Sequence, residues 1–306
     1  MLLYLVKRLG GMVIVLFCAV TAVFFMFQLV KGGPFDSERS LSEEAKLEKL
    51  RQFNMHRHPV QNYLAYMSDL LHGDMRVSLK AQNFKVTEII GASLPISAKL
   101  GGAAFLLAAG GGILSGAYAA SRKQRAGDRI VQGGAMLFIS TPTFVTGPLL
   151  ALVFAIGLAW LPVGGWFSWK HAILPTVCLA LYYGANVSRL MRNSMVEVLN
   201  RDFIRTARAK GLSESRVIYK HALKVALVPV ISYLGPMAAY LLTGSMIVES
   251  VFAIPGMGQH FVNATLNRDP FLLIGAVIVY CLLVVICNLL ADLLLCLVDP
   301  RVKLHA

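Results

Sequence analysis

The sequence has 306 residues, of which 57% are hydrophobic and only 15% charged, and its mean hydropathy is +0.65. Soluble domains carry about 25% charged residues, so this composition excludes an ordinary soluble protein or a disordered chain and indicates several membrane spans. The net charge of +13 would suit nucleic-acid binding in a soluble protein, but here the basic residues lie between apolar segments, so no nucleic-acid partner is expected and contact with membrane lipid is.

Six segments are apolar enough, at about 20 residues each, to cross a bilayer as helices. They are residues 9–30, 97–120, 130–158, 172–190, 226–249 and 271–295. The first is similar to a signal peptide, but its apolar run is too long and no small-residue cleavage site follows, so we expect it to be retained. The sequence therefore predicts an all-α integral membrane protein.

The distribution of basic residues predicts that both termini lie inside. With the amino terminus inside, the connections on that side carry the excess of Lys and Arg that the positive-inside rule describes. These connections hold Lys7 and Arg8, the cluster from Arg122 to Arg129, the basic run from Arg189 to Lys224, and Arg301 and Lys303.

The spans and the hydrophilic segments divide the chain into four parts. Residues 1–30 form an N-terminal transmembrane helix, and residues 31–96 form an extracytoplasmic helical segment. Residues 97–298 form a five-helix core that includes an inside loop at 190–225, and residues 299–306 form a cytoplasmic tail.

The outer segment is expected to contain two short helices. Ser40-Leu-Ser-Glu43 is a capping-box pattern that opens the first helix. Pro59 suits the first turn of the second, which carries Tyr63 and Tyr66 on one side and can end at Gly73.

The inside loop predicts a short basic helix, a break and a second helix that leads into the fifth span. Phe203, Ala207 and Gly211 fall on one line at i, i+4 and i+8. Gly211 can end the first helix and Ser213 can cap the second. Spacing alone leaves two interpretations open, a docking helix for a partner or a solvated basic loop beside lipid headgroups.

Residues 205–211 read Arg-Thr-Ala-Arg-Ala-Lys-Gly, and this run resembles throughout the coupling loop of dipeptide and oligopeptide permeases of ABC importers. Against the general signature of importer permeases, only Ala207, Gly211 and Leu223 match. Further similar motifs follow one another in order: Gly33-Pro34, His72-Gly73-Asp74, Leu161-Pro-Val-Gly-Gly165, Leu174-Pro175, Glu249 with Pro255-Gly-Met-Gly258, Arg268-Asp269 and Asp299-Pro300-Arg301. Arg76 departs from the family's Gly-Asp-x-Gly motif, which has glycine there.

The resemblance implies a type I ABC-importer permease fold with six transmembrane helices and a cytoplasmic coupling helix, in the bacterial cytoplasmic (inner) membrane. The long outer segment makes the chain similar to the B-type permease of an oligopeptide importer. The implied partners are a second homologous permease, two ABC ATPase subunits, an extracytoplasmic peptide-binding protein and the peptide substrate. The implied ATPase-coupling residues are Asp202, Phe203, Arg205, Thr206, Ala207, Arg208, Lys210, Gly211 and Leu212.

The substrate has alternatives. Related permeases share the Arg-Thr-Ala-Arg-Ala-Lys-Gly loop, so dipeptides, nickel or another small solute remain open.

The chain carries no recognisable chemistry for an energy source of its own. It lacks the P-loop pattern, and the dipeptide Gly-Lys never occurs, so it binds no ATP by that motif. Ionisable residues are missing from the middle of the spans, which disfavours ion coupling. We therefore expect no enzyme activity and no cofactor, catalytic residue or metal site in this chain, with ATP and Mg used by partner subunits.

An intramembrane enzyme is the alternative from another class. Gly91-Ala-Ser93-Leu-Pro95 is faintly similar to a serine-protease elbow, but no histidine lies mid-span to act as its base.

Near the outer end of the fifth span, Glu249, Pro255, Gly256 and Gly258 are candidates for an outer gate. The alternative is that Glu249 is an interfacial carboxylate above a re-entrant turn. Arg268 and Asp269 are expected to form a surface ion pair. Glycines of the second and third spans are expected chiefly to let helices pack closely; they are Gly101, Gly102, Gly110, Gly111, Gly112, Gly133, Gly134 and Gly147.

Overall fold

The computed structural model describes residues 2–29, 58–81 and 84–298, together with the isolated helical positions 44, 48 and 51. These residues are almost entirely helical. Several predictions lie outside the described residues: the motifs at Gly33-Pro34 and Asp299–Arg301 and the tail 299–306. The first predicted outer helix also lies outside them, apart from positions 44, 48 and 51.

Twelve helices can be named in the described part of the chain. In order they are α1 (Leu2–Leu29), α2 (Pro59–Leu71), α3 (Val86–Ser121), α4 (Ala126–Ser140), α5 (Thr143–Leu150), α6 (Trp169–Leu199), α7 (Asp202–Ala209), α8 (Glu214–Arg216), α9 (Leu223–Thr243), α10 (Met246–Val251), α11 (Met257–Leu266) and α12 (Pro270–Val298). A π-helical turn at Ala151–Gly157 continues α5, and another at Val217–Ala222 joins α8 to α9.

By length and composition, the described residues contain four helical segments able to cross a membrane. They are Gly10–Leu29, Val86–Ser121, Glu214–Val251 and Pro270–Val298. The pair Ala126–Ser140 and Thr143–Gly157, bent by 107°, adds a fifth if it is one span. The bend lies at Thr141-Pro142, since proline disfavours helical conformation in the residue before it, and Thr141 is extended.

The predicted span at 172–190 lies within α6, which is not among those segments. Its 31 residues make it about 46 Å long, which is sufficient to cross a bilayer. Its composition is less apolar because Thr176, Tyr182, Tyr183 and Asn186 interrupt the hydrophobic run. The count of six spans therefore stays a prediction.

Contacts between the helices show which helix ends lie on the same side of the bundle. α3 and α6 run parallel, because a side chain added at Gly112 would meet Val187 and one added at Gly116 would meet Met191. An Arg192–Asp128 ion pair holds the start of α4 at their shared carboxyl end. The chain therefore returns to the opposite side between Asp128 and the start of α6.

The last helix fits the same arrangement. α9 and α12 run antiparallel, because Gly235 packs on Asn288 while Tyr240 and Tyr280 line one cavity farther along. Arg8 forms an ion pair with Asp292, which places the start of α1 beside the end of α12. We call the side that carries residues 200–213 the loop side; it also holds the start of α1 and the end of α12.

Two apolar clusters form the interior. The larger joins α3, α6 and α9 and reaches down to the inside loop, with Leu100, Cys178, Val187, Met191 and Val230 among its members. The smaller lies at the opposite side, where Val20 and Phe24 of α1, Tyr63 and Tyr66 of α2, and the start of α12 pack together. The predicted second outer helix is thus confirmed, with Pro59 in its first turn and Gly73 in the left-handed conformation after it.

Arg76, which stands where the similar family motif has glycine, has a glycine-like backbone conformation and makes side-chain contacts that glycine could not. Its φ of 62° lies in the left-handed region that favours glycine. Its guanidinium carbon lies 5.2 Å from the ring centres of both Tyr66 and Phe271, and its Nε donates to Asp69 Oδ2 at 2.7 Å. Burial raises the pKa of the Tyr66 phenol, while the neighbouring Arg76 charge opposes that rise. The arginine thus bridges α2 and α12.

The expected surface position of Asp269 is wrong. The residue is buried, its Oδ2 accepts hydrogen bonds from Ser78 Oγ at 2.5 Å and Leu79 N at 2.9 Å, and its Oδ1 accepts one from Leu272 N at 3.1 Å. It therefore caps α12 and holds the end of the outer segment, which a surface pair would not do.

The span glycines divide into two groups. Gly101, Gly112 and Gly147 are in close contact, and an added methyl group at Gly101 would collide with the carbonyl oxygen of Leu241. Around Gly110, Gly111, Gly133 and Gly134, by contrast, no atom lies within 4 Å of an added Cβ in the described part of the chain. The expectation of close packing is therefore confirmed for the first group only.

This difference predicts the effect of two adjacent substitutions. Gly101→Ala should lower the stability of the folded protein by about 1–3 kcal/mol, because backbone at Leu241 cannot yield as a flexible side chain would. Gly102→Ala is the matched control, since its Cβ would lie 3.9 Å from Leu242 Cδ2. Thermal unfolding in detergent should show a lower midpoint for Gly101→Ala alone; equal midpoints would contradict the close approach.

Candidate functional site

The inside loop folds as the predicted helix, break and second helix. α7 spans Asp202–Ala209, and Gly211 follows it with φ 76°. Gly211 N donates to Arg208 O at 2.9 Å and Leu212 N donates to Ala207 O at 3.3 Å. These two bonds make a Schellman motif, which requires the left-handed residue that glycine supplies most easily.

α7 is anchored to the rest of the chain by one apolar face. Ile204 is fully buried and Ala207 is 7% exposed, and both belong to the larger apolar cluster together with Val217. Phe203, which was predicted to share a line with Ala207, is 42% exposed instead. The helix therefore turns the face with Ile204 and Ala207 inward, and the part of Ala207 in ATPase coupling stays a prediction.

Three arginines of the loop, Arg201, Arg205 and Arg208, are paired within the chain. Arg208 Nε lies 2.6 Å from Glu214 Oε1 and its Nη2 lies 3.3 Å from Oε2, so the pair spans the Gly211 turn. Arg201 Nη2 lies 2.6 Å from Glu197 Oε1. Arg205 Nη1 lies 3.5 Å from Asp202 Oδ1. These pairs stiffen the loop rather than leaving every basic group for a partner.

The surface that the loop presents is thus apolar and basic at once. Of the predicted coupling residues, seven are exposed and Leu212 is half-buried; the exposed ones are Asp202, Phe203, Arg205, Thr206, Arg208, Lys210 and Gly211. An added Cβ at Gly211 would meet no atom of the described chain within 4 Å, so the turn is open on its outer side. Phenylalanine and arginine are both residue types in which protein–protein interfaces are enriched.

A further ion pair, between Arg192 and Asp128, joins the end of α6 that precedes the loop to α4. Arg192 Nε and Nη2 donate to Asp128 Oδ1 and Oδ2 at 3.1 and 2.8 Å, and Gln124 N donates to the same carboxylate at 2.9 Å. This two-point contact fixes the last turns of α6 against the start of α4.

On the opposite side, the candidate gate residues meet around one carboxylate. Glu249 is fully buried, and its Oε1 accepts a hydrogen bond from Ser97 Oγ at 2.6 Å while its Oε2 accepts one from Gly258 N at 2.9 Å. Ser97 Oγ also accepts from Met257 N at 2.8 Å. This set, which we call the Glu249 node, joins α3, α10 and α11. Glu249 is thus held inside the protein, and both its role in an outer gate and the alternative of an interfacial carboxylate stay predictions.

Glycines make room for the node. A Cβ at Gly244 or Gly256 would collide with the Glu249 carboxyl group, and one at Gly258 would lie 2.6 Å from Met246 N. Pro255 is exposed beside the node. The four predicted gate residues are therefore in one place, three of them in direct contact.

Sequence reasoning missed two residues that matter here, Ser97 and Ile204. Ser97, at the start of a predicted span, is the hydroxyl partner of Glu249. Ile204 anchors α7, and its spacing of three from Ala207 is the signal that would have found it. Ser93 donates its hydroxyl to Ile89 O at 2.8 Å, as serines in helices do, rather than to a catalytic partner.

The chain matches a family of membrane transport components and individual permeases within it. The family model described as binding-protein-dependent transport system inner membrane component matches residues 112–304. The chain is 43% identical over 305 residues to the oligopeptide transport system permease protein OppB of Salmonella typhimurium, covering 99% of this chain and 100% of the relative. It is 42% identical over 305 residues to OppB of Escherichia coli K12, with the same coverage. It is also 37% identical over 302 residues to the dipeptide transport system permease protein DppB of Bacillus subtilis, covering 99% and 98%.

A solved structure shares the fold. An inward-facing structure of the MetNI methionine ABC transporter superposes with a TM-score of 0.57 at 14% identity, covering 69% of this chain and 96% of that one.

Proposed function

The chain belongs to the family of binding-protein-dependent transport system inner membrane components, and from that premise we propose that it is the permease subunit of an ATP-driven importer that moves oligopeptides across the bacterial cytoplasmic membrane. Its fold is that of a type I ABC-importer permease, and the chain is a transport subunit rather than an enzyme. The oligopeptide permeases at 41–43% identity over 99% of the chain support the substrate.

The complete transporter that we propose has five protein subunits. This chain pairs with a second homologous permease, and two ABC ATPase subunits bind Mg and ATP and dock on the loop side. An extracytoplasmic binding protein delivers the peptide. Membrane lipid surrounds the exposed apolar faces.

We propose that the loop side is cytoplasmic and that the chain crosses the membrane six times. The loop side holds Arg8, Arg122, Lys123 and the basic inside loop, as the positive-inside rule would have it. The start of α1 and the end of α12 share this side through Arg8 and Asp292, which requires an even number of crossings.

The anchored coupling helix carries the proposal. α7 is held to the bundle by Ile204 and Ala207, and the Arg208–Glu214 pair fixes it to the helix that runs on into α9. A push on exposed Phe203 and Lys210 by an ATPase would therefore move α6 and α9 with α7. Two such helices, one per permease, would swing the spans between inward- and outward-facing states as rigid bodies.

The Glu249 node serves as the outer gate in this proposal. It connects α3, which runs to the loop side, with the outer turns α10 and α11. Motion of the bundle would thus reach the outer surface where the binding protein docks.

An uptake assay tests the substrate. Proteoliposomes with both permeases, both ATPases and the cognate binding protein should import oligopeptides when ATP is present. Import of nickel or dipeptides in place of longer peptides would favour the alternative importers of the family.

Cross-linking tests the docking surface. Lys210→Cys, introduced into a chain without its native cysteines, should cross-link to a cysteine-bearing ATPase subunit in the assembled complex. Lys210 is exposed at the position directly after α7. Ala207→Cys is the matched control on the buried face of the same segment and should give little product. Absence of any ATPase product at Lys210 would contradict the proposal.

A further inference from the structure

The two helices that flank the coupling loop present an unusual surface to their surroundings. Over α6 (Trp169–Leu199) and α9 (Leu223–Thr243), the exposed large hydrophobic side chains are Trp169, at the first residue of α6, and Tyr240. The other exposed positions are charged, polar or proline: Lys170, Arg189, Asn193, Glu197, Lys224, Pro229, Ser232 and Pro236.

Other long helices expose what lipid favours. α12 exposes Ile286, Leu290, Leu294 and Leu297, and α3 exposes Leu106, Leu107 and Leu114. Aliphatic side chains belong at a lipid boundary, whereas polar groups in a span face the protein interior or water. The uncovered faces of α6 and α9 therefore do not have the composition of a lipid-facing surface.

Four tyrosines lie on these two helices. The ring centres of Tyr182 and Tyr183 are 5.1 Å apart, and those of Tyr183 and Tyr240 are 5.7 Å apart. Tyr233 precedes Tyr240 by seven residues, two helical turns, so it lies on the same side of α9. We call Tyr182, Tyr183, Tyr233 and Tyr240 the tyrosine face.

The tyrosine face continues into a cavity at its outer end. This cavity has a volume of about 340 Å³ and includes Tyr240, Thr243, Met246, Met257, Phe261 and Tyr280 in its lining. Methionine and aromatic side chains adapt to ligands of different shape. The cavity therefore suits a variable apolar group.

We infer that the tyrosine face and the adjoining cavity form the wall of a water-filled substrate path and contact the transported peptide. Each phenol can both donate and accept a hydrogen bond, so it can bind peptide N–H and C=O groups whatever the side chain. The rings pack against apolar side chains of the substrate. This inference rests on the proposed function and adds the peptide-contacting residues to it.

Labelling of single cysteines tests the inference in the complete transporter. Ser232→Cys and Tyr240→Cys are each placed in a chain whose five native cysteines are replaced and which still imports peptide. The control is Ile286→Cys, which is exposed on α12. Because α9 and α12 run antiparallel and Gly235 packs on Asn288, the depth of Ile286 lies between those of Ser232 and Tyr240. The probe is a charged, water-soluble methanethiosulfonate, which reacts with the thiolate.

We expect Ser232→Cys and Tyr240→Cys to react about tenfold faster than Ile286→Cys, because a thiol in lipid neither ionises nor meets the reagent. A saturating peptide, supplied with the binding protein and ATP, should slow both reactions. Rates equal to that of Ile286→Cys would mean that lipid or the second permease covers the face, and would overturn the inference. Fast labelling that peptide does not slow would also overturn it.

The uptake assay separates this inference from the proposed function. If the wild-type complex imports peptide but labelling fails as described, only the tyrosine face is wrong. If the wild-type complex imports no peptide, the proposed substrate is wrong, and peptide protection is then absent as well.

Discussion

Replacing Gly211 with valine should reduce ATP-driven peptide uptake to background while the chain still inserts and assembles. The φ of 76° at this residue is costly for a β-branched side chain, by about 1–2 kcal/mol. Because no atom of the described chain lies within 4 Å of the added Cβ, the local strain is not joined by a packing clash that would unfold the bundle. The strain instead disturbs the Schellman motif, which would orient α7 toward the ATPase subunit that we propose as its partner. Uptake into proteoliposomes and the recovery of the intact complex measure the two effects.

Gly211→Asn is the matched variant, since asparagine adopts the left-handed conformation far more readily than valine. It should retain most of the uptake. Wild-type uptake by the valine variant would remove the basis for a docking role of the turn. Loss of uptake in both variants would show that a close approach of the partner, rather than φ, requires the glycine.

Replacing Glu249 with alanine should cost about 2–5 kcal/mol of folding stability, the second large effect. The change removes the acceptor of two buried donors, the Ser97 hydroxyl and the Gly258 backbone N–H. Each buried donor left without an acceptor costs about 1–3 kcal/mol. It also opens a cavity between α3, α10 and α11. Thermal unfolding of the detergent-solubilised transporter measures the loss.

Glu249→Gln keeps the shape and one acceptor oxygen, so it should lie between the wild type and Glu249→Ala. Ser250→Ala, at the exposed neighbouring position, should be neutral. A melting point for Glu249→Ala equal to that of Ser250→Ala would show that the node contributes no stability.

The features predicted well from sequence are those that repeat along the chain. Long apolar runs fixed the position of most membrane helices, and the Gly211 break followed from the need for a left-handed residue at a helix end. Pro59 and Gly73 likewise bounded α2. Each of these signals is local, so it survives without knowledge of the tertiary fold.

The features that were missed depend on which face of an element meets which neighbour. Ala207 lies inward together with Ile204, three residues earlier. The sequence prediction grouped it instead with Phe203, which is exposed. The buried carboxylates of Asp269 and Glu249 have partners 152 to 191 residues away along the chain. Spacing within a segment holds no information about such distant hydroxyl and amide donors.

The division of the interior into two apolar clusters has an evolutionary consequence. The smaller cluster packs the outer helix α2 on α1 and α12, whereas the coupling helix belongs to the larger one. Substitutions in the packing of α2 can therefore accumulate over evolution with little effect on the position of the coupling helix.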